Sequence, residues 1–168
     1  KRLGDAGTEV KLVCATNGEA GMHRGDSTIR GPALGRIRCQ ELVKSCAHMG
    51  VESVDFLGLP DAGLAGLKES SLIGLLKETM QGFAPHLVVT LGVDGVYGHS
   101  DHVTLTRGVA GAFDDAALSR VRLMHCAFPR GLFSPTYKTL RKRAGYMLHE
   151  SVRLADLGCA REDCDVIV

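Results

Sequence analysis

Leu87-Val88-Val89-Thr90-Leu91-Gly92-Val93-Asp94-Gly95-Val96-Tyr97-Gly98-His99-Ser100-Asp101-His102 is the stretch that decides the fold of this chain. The apolar, β-branched run at its start predicts a buried strand over 87–91. The glycines that follow predict a tight turn, and the polar residues after them the mouth of a helix. In an open α/β sheet, ligands bind outside the carboxyl ends of strands, so this turn is also where a site is expected. His99 and His102 are three apart and share a face on a first helical turn. A neutral imidazole can ligate a metal, a charged one can stabilise an oxyanion, and the carboxylate of Asp101 between them can orient either. The plainer reading is a helix N-cap formed by Ser100 or Asp101, with the histidines in solvent. Tyr97 and the glycines crowding the same turn weigh toward a site.

The same alternation continues on both sides of this stretch. Strands are predicted at 9–15, 53–59 and 121–128, besides 87–91. Helices are predicted at about 37–49 with Gly50 as C-cap, at 68–82 with Leu72, Leu75, Leu76 and Met80 on one face, and at 101–118. Residues 22–35 read as a polar surface loop around Pro32. Residues 134–157 read as largely helical and basic, with Lys138, Arg141, Lys142 and Arg143 forming a solvated face rather than a phosphate site. Strands separated by helix-length segments imply α/β class: a Rossmann-like three-layer sandwich with a mostly parallel sheet. Strands near Val10, Val54, Val88 and Leu123 are then neighbours. The loops 16–21, 60–63 and 93–102 would meet at one edge of the sheet and bring their chemistry into one cleft. The whole of 1–168 reads as one domain cut at both ends. Residues 1–7 look like the last turn and cap of a helix, and 164–168 like a strand that stops without a partner.

Composition narrows the partners. A net charge of +1 over 168 residues argues against a surface for nucleic acid or other polyanions. No apolar run approaches bilayer length and no signal peptide begins the chain, so no membrane role is expected. The cysteines (Cys14, Cys39, Cys46, Cys126, Cys159, Cys164) form no CxxC pair, and several sit in apolar stretches, as buried free thiols do. That usage predicts a reducing, cytoplasmic compartment. A dinucleotide fingerprint, a P-loop and a GxSxG elbow are all absent.

Four segments together carry a resemblance: Cys14-Ala15-Thr16-Asn17-Gly18-Glu19-Ala20-Gly21, Arg38-Cys39-Gln40-Glu41, Leu59-Pro60-Asp61-Ala62-Gly63-Leu64 and Tyr97-Gly98-His99-Ser100-Asp101-His102. In order and spacing they resemble the LmbE-like (PIG-L) family, whose members are zinc-dependent N-deacetylases of N-acetylglucosamine-type sugars. The resemblance implies an LmbE-like fold, a Zn2+ or other divalent metal cofactor, and a small-molecule amino-sugar or glycoconjugate substrate. Its members are often multimeric, which makes a homo-oligomer an expectation too, although no interface pattern is legible. It implies that His102 is a metal ligand and that His99 is a cationic group stabilising the oxyanion. Asp101 would orient and tune its neighbours, and Tyr97 would contact the substrate carbonyl. Arg38 and Asp61 match positions that contact the sugar. Glu41, one turn on from Arg38, is expected from its i,i+3 spacing to be a structural partner of that arginine.

The sequence departs from the family at two places. Ser100 stands where proline is usual, and serine caps a helix equally well. The family's first motif, His-Pro-Asp-Asp-Glu, supplies two zinc ligands and the general base and has no match here; the expectation is that it precedes Lys1. Zinc would lower the pKa of a bound water to about 7. Each oxyanion donor would be worth roughly 2.7–4 kcal/mol. Two alternatives stay open: a non-catalytic Rossmann-like module binding a sugar or nucleotide, and an amidase of the same family acting on thiol conjugates. The remaining histidines (His23, His48, His86, His125, His149) have no second ligand-type residue at ligand spacing and are expected to be ordinary.

Overall fold

Two parallel strand pairs organise the chain, one in a unit of residues 1–63 and one in a unit of residues 64–168. The computed structural model describes every residue except Lys1, Arg24, Ala117, Ser119, Phe133, 145–152 and 166–168.

In the first unit a short helix, α1 (Arg2–Asp5), ends at Gly7, whose positive φ of 78° closes the turn. Strand β1 (Lys11–Thr16) pairs in parallel with β2 (Ser53–Leu59), with Leu12 opposite Val54 and Cys14 opposite Phe56. Lys11 Nζ reaches Asp55 Oδ2 across the pair at 2.9 Å. The crossover is α2 (Gly31–Met49), which ends at Gly50 in the left-handed conformation, as its sequence predicts. The helix starts earlier than expected, inside the segment read as a surface loop. Pro32 is the reason: its fixed φ and missing N–H suit a first helical turn, where no intrahelical donor is needed.

The second unit opens with a 3-10 turn (Leu64–Gly66) and α3 (Glu69–Phe83), whose Leu72, Leu76 and Met80 are buried. Strand β3 (Leu87–Leu91) leads through α4 (Gly95–Gly98) into α5 (Ser100–Asp115). Strand β4 (Arg122–Cys126) then pairs in parallel with β3 over its whole length. The expected parallel strands and intervening helices are therefore present, but the strands are hydrogen-bonded as two pairs, β1 with β2 and β3 with β4, and not as the four neighbours the sequence predicts. Helices α3 and α5 pack closely at Gly108 and Gly111. A Cβ on Gly108 would stand 2.9 Å from Leu72 Cδ2, and one on Gly111 2.9 Å from Ile73 Cδ1. Each leucine buried there contributes roughly 1.5–3 kcal/mol.

Beyond β4, α6 covers Ser134–Ala144, with Lys138 and Lys142 exposed as a solvated face requires. The helix predicted to run to residue 157 does not: Leu154–Asp156 is a 3-10 turn after an extended Arg153, and Leu157 is buried against Val103 of α5. That contact with the core replaces continued helix. A second 3-10 turn covers Arg161–Asp163, and Cys164 follows in extended conformation but outside any strand. The rest of the strand expected at the end of the chain, and His149, lie outside the described residues. All six cysteines are free, and the Cys159 and Cys164 sulfurs stand 3.2 Å apart in a hydrogen bond. Among the described residues no helix is long and apolar enough to cross a membrane.

Candidate active site

The turn after β3 holds three positive-φ residues: Gly95 at 64°, Val96 at 71° and Gly98 at 75°. Glycine adopts these angles freely, whereas Val96, with ψ −55°, is strained. Gly95 is also required sterically, because a Cβ there would stand 2.9 Å from Val103 Cγ2. The turn is thereby pressed onto the first turn of α5. It gathers Tyr97, His99 and His102, with ring centroids 5.0 Å apart for Tyr97–His102, 5.1 Å for His99–His102 and 6.1 Å for Tyr97–His99.

The two imidazoles are held in opposite ways. His102 Nδ1 lies 3.1 Å from the Gly95 carbonyl oxygen, which can only accept, so Nδ1 carries the proton and Nε2 the lone pair. That is the arrangement of a metal-ligating histidine, whose other N–H is fixed by a carbonyl. His99 is the N-cap of α5, and its Nδ1 accepts the Asp101 N–H at 3.1 Å. Neither Ser100 nor Asp101 caps the helix, contrary to the sequence-based expectation. The residue with extended backbone is His99, and an imidazole nitrogen accepts the N–H as a serine hydroxyl would. An acceptor at Nδ1 also means the neutral tautomer, with the proton on Nε2.

Asp101 is only 5% exposed, with Oδ1 accepting the Leu64 N–H at 3.0 Å and Oδ2 buried without a partner. A buried, unpaired carboxylate oxygen is costly and suits a cation or a donor. A catalytic zinc needs three protein ligands. Among the described residues no group of three His, Cys, Asp or Glu side chains could hold a metal ion. The described residues thus supply one oriented donor, His102, and do not complete a metal site.

In the first unit, the loop after β1 draws Arg38, Asp61 and Glu19 together. Asp61 Oδ1 accepts the Thr16 hydroxyl at 3.1 Å and Oδ2 the Ala20 N–H at 2.8 Å. Arg38 donates to the Gly18 and Met22 carbonyls at 2.6 and 3.3 Å. The expected pairing with Glu41 does not form: Glu41 is exposed, and the guanidinium is turned to the loop instead. Gly18 and Gly21 make room for it, since a Cβ on either would stand within 2.7 Å of a guanidinium nitrogen. Glu19 Oε1 accepts the Asp61 N–H at 3.1 Å, while Oε2 is buried without a partner. A cavity of about 490 Å3 opens beside it, lined by Asn17, Glu19, Gly35, Arg36, Cys39 and Gln40 among others. Motif and spacing assign no role to Glu19, nor to Asp94, whose side chain accepts the Val96 N–H. The Asp-Gly pair at 94–95 is the one sequence signal that points to the latter.

The other described histidines are engaged locally or exposed. His23 accepts the Gly25 and Asp26 N–H groups, His125 Nδ1 lies 2.9 Å from the Leu91 carbonyl, and His48 and His86 are exposed.

Residues 1–113 match the model of the family described as PIG-L, GlcNAc-PI de-N-acetylase. The chain belongs to this family. The PIG-L deacetylases are generally metal-dependent. A 1D-myo-inositol 2-acetamido-2-deoxy-alpha-D-glucopyranoside deacetylase of Nakamurella multipartita is 30% identical over 84% of this chain and 57% of its own length. A probable N-acetyl-alpha-D-glucosaminyl L-malate deacetylase 2 of Bacillus subtilis is 33% identical over 55% of this chain and 42% of its own. The chain thus spans about half the length of the curated relatives it matches. Among solved structures, a conserved protein of Thermus thermophilus shares the fold at a TM-score of 0.56 and 23% identity, over 73% of this chain and 50% of that one. An N,N'-diacetylchitobiose deacetylase of Pyrococcus horikoshii, complexed with an inhibitor, gives a TM-score of 0.54 at 27% identity, over 70% of this chain and 42% of that one. This PIG-L chain therefore has the LmbE-like α/β fold its motifs imply.

Proposed function

We propose that the protein is a metal-dependent hydrolase that removes the N-acetyl group from an N-acetylglucosamine-type sugar or glycoconjugate. The observation that carries this reading is the opposite set of the two imidazoles: His102 Nδ1 donates to the Gly95 carbonyl, and His99 Nδ1 accepts the Asp101 N–H. Curated relatives named as deacetylases of such sugars support the substrate class.

Amide hydrolysis needs an attacking water, donors to the developing oxyanion and a proton for the leaving amine. His99 Nε2–H serves as one oxyanion donor, with the Tyr97 hydroxyl as a second, each worth roughly 2.7–4 kcal/mol. The resemblance implies a cationic His99, and capping α5 through Nδ1 goes with a ring that carries its proton on Nε2; either form can donate from that nitrogen. Asp101 orients this pair by tying the start of α5 to the Leu64 N–H. His102 would be one ligand of a divalent metal such as zinc, although the described residues assemble no group of three ligands. When bound, zinc supplies Lewis-acid polarisation of the carbonyl and a more acidic water. Within the first unit, Asp61 and Arg38 hold the 16–22 loop, and the Asp61 N–H bonds Glu19 Oε1. The free cysteines fit a reducing compartment.

The test uses the intact protein, with release of primary amine from N-acetylglucosaminides measured beside metal content. His102→Ala is expected to lose its metal. His99→Ala should keep the metal and lose turnover by about 10²–10³. A metal-loaded wild type that releases no amine from any N-acetylhexosamine, or a His102→Ala variant with full metal occupancy, overturns the reading.

A further inference from the structure

Strain at Val96 has to be held by something, because a β-branched residue does not rest at φ 71° unaided. The group in place to hold it is Asp94, whose two carboxylate oxygens are used separately. One accepts the Val96 N–H at 3.0 Å, and the other accepts the Gly158 N–H at 2.7 Å, a partner 64 residues away. Bonds to an ionised acceptor are short and strong, and here both converge on one side chain.

The surroundings are shaped to this carboxylate. A Cβ on Gly92 would meet Asp94 Oδ1 and the Cys126 carbonyl oxygen, both at 2.8 Å, so glycine leaves the space the carboxylate fills. Gly158, at φ 81°, is fixed equally tightly. A Cβ there would stand 2.7 Å from the Phe128 and Pro129 carbonyl oxygens, and Cys159 N–H bonds the Phe128 carbonyl at 2.9 Å. Next to it, Leu157 is buried against Val103 of α5. The donor on Gly158 is therefore presented by a rigid segment, and that segment lies beyond the residues 1–113 that match the family model.

We propose that Asp94 is a positioning residue, clasping the strained turn to the Gly158 segment so that Tyr97 is presented and the Gly95 carbonyl stays aimed at His102 Nδ1. Its effect on turnover rests on the function proposed above; the clasp itself does not. Loss of the carboxylate lets Val96 relax toward ordinary φ, which swings the flanking Gly95 carbonyl and the Tyr97 ring.

The experiment compares Asp94→Ala, Asp94→Asn, and Asp94→Ala combined with Val96→Gly in the intact protein. Amide exchange, thermal midpoint, metal affinity and kcat and KM for amine release are read for each. In Asp94→Ala, exchange at Val96 and Gly158 should accelerate at least about tenfold while amides of α3 keep their protection. Turnover should fall by roughly 10- to 100-fold, as a displaced catalytic group costs, with KM little changed. Adding Val96→Gly removes the strain the clasp opposes and should bring turnover back to within about threefold of wild type. Asp94→Asn keeps one acceptor and presents a donor to the second N–H, so it should fall between, and it serves if the alanine variant does not fold. Unchanged exchange at both amides overturns the proposal. So does a loss of turnover that tracks the thermal midpoint and is not restored by Val96→Gly, because that is general destabilisation. A wild type without deacetylase turnover but with both amides protected only until Asp94 is removed overturns the functional reading and leaves the clasp standing.

Discussion

At His99 and His102 the neighbouring backbone decides which ring nitrogen carries the proton, and so which ring can donate and which can ligate. A separation of function follows. His99→Asn retains an acceptor suited to an N-cap but has no donor where Nε2–H stood. It should keep most of the thermal stability that His99→Ala loses, about 1 kcal/mol, yet share its loss of turnover. Equal stability of the two variants in thermal melts would show that His99 is no cap. The pairing of histidines on one face was legible from their spacing alone. Which residue caps the helix was not, since histidine, serine and aspartate can all accept the N–H, and only the extended backbone at His99 decides. Arg38 makes the same point: the i,i+3 spacing suggested Glu41, but its guanidinium meets two carbonyls of a loop that spacing does not see.

Among elements, the α3–α5 contact is the clearest case of a pattern that predicts its own energetics. Leu72 is 3% exposed and lies against Gly108, so Leu72→Ala leaves a cavity that neighbours cannot fill. It should cost about 2–5 kcal/mol in chemical denaturation, with no change in metal content; a cost below about 1 kcal/mol would mean the helices close up. The 158–164 segment makes a different prediction. The Cys159 thiol is held above the ordinary value of 9.0, chiefly by its hydrogen bond with Cys164. A raised folded pKa stabilises the fold fully below the unfolded value and is lost as pH rises through the folded one. Thermal midpoints should therefore drop more steeply above pH about 9 in the wild type than in Cys164→Ala. Parallel slopes for the two proteins would sink this. Periodicity could not reveal that the chain leaves helix before Leu154, because the burial of Leu157 is a long-range contact with Val103.

For the molecule as a whole, metal and fold are linked by mass action. A ligand that binds only the native state adds about 2.7 kcal/mol at a concentration of 100 Kd. Zinc should then raise the thermal midpoint of the intact wild-type protein and leave that of His102→Ala where it was. A rise of equal size in both would place the metal elsewhere.

The sequence by itself determined the class of fold and the turn in which the candidate site is proposed. Strand runs such as 53–59 and 87–91 coincide with the observed strands because short apolar runs bounded by turn residues have few other solutions. The glycines of the 92–98 turn and the His-x-x-His face are likewise local, fixed by backbone angles and helical pitch. Tertiary structure alone decided what each polar group touches: Asp94 against Gly158, Asp101 against Leu64, Glu19 against Asp61. Each of those pairs is distant in sequence, so no periodicity encodes it. A buried carboxylate takes whichever N–H the packed chain brings within reach, and that is settled only when the elements have packed.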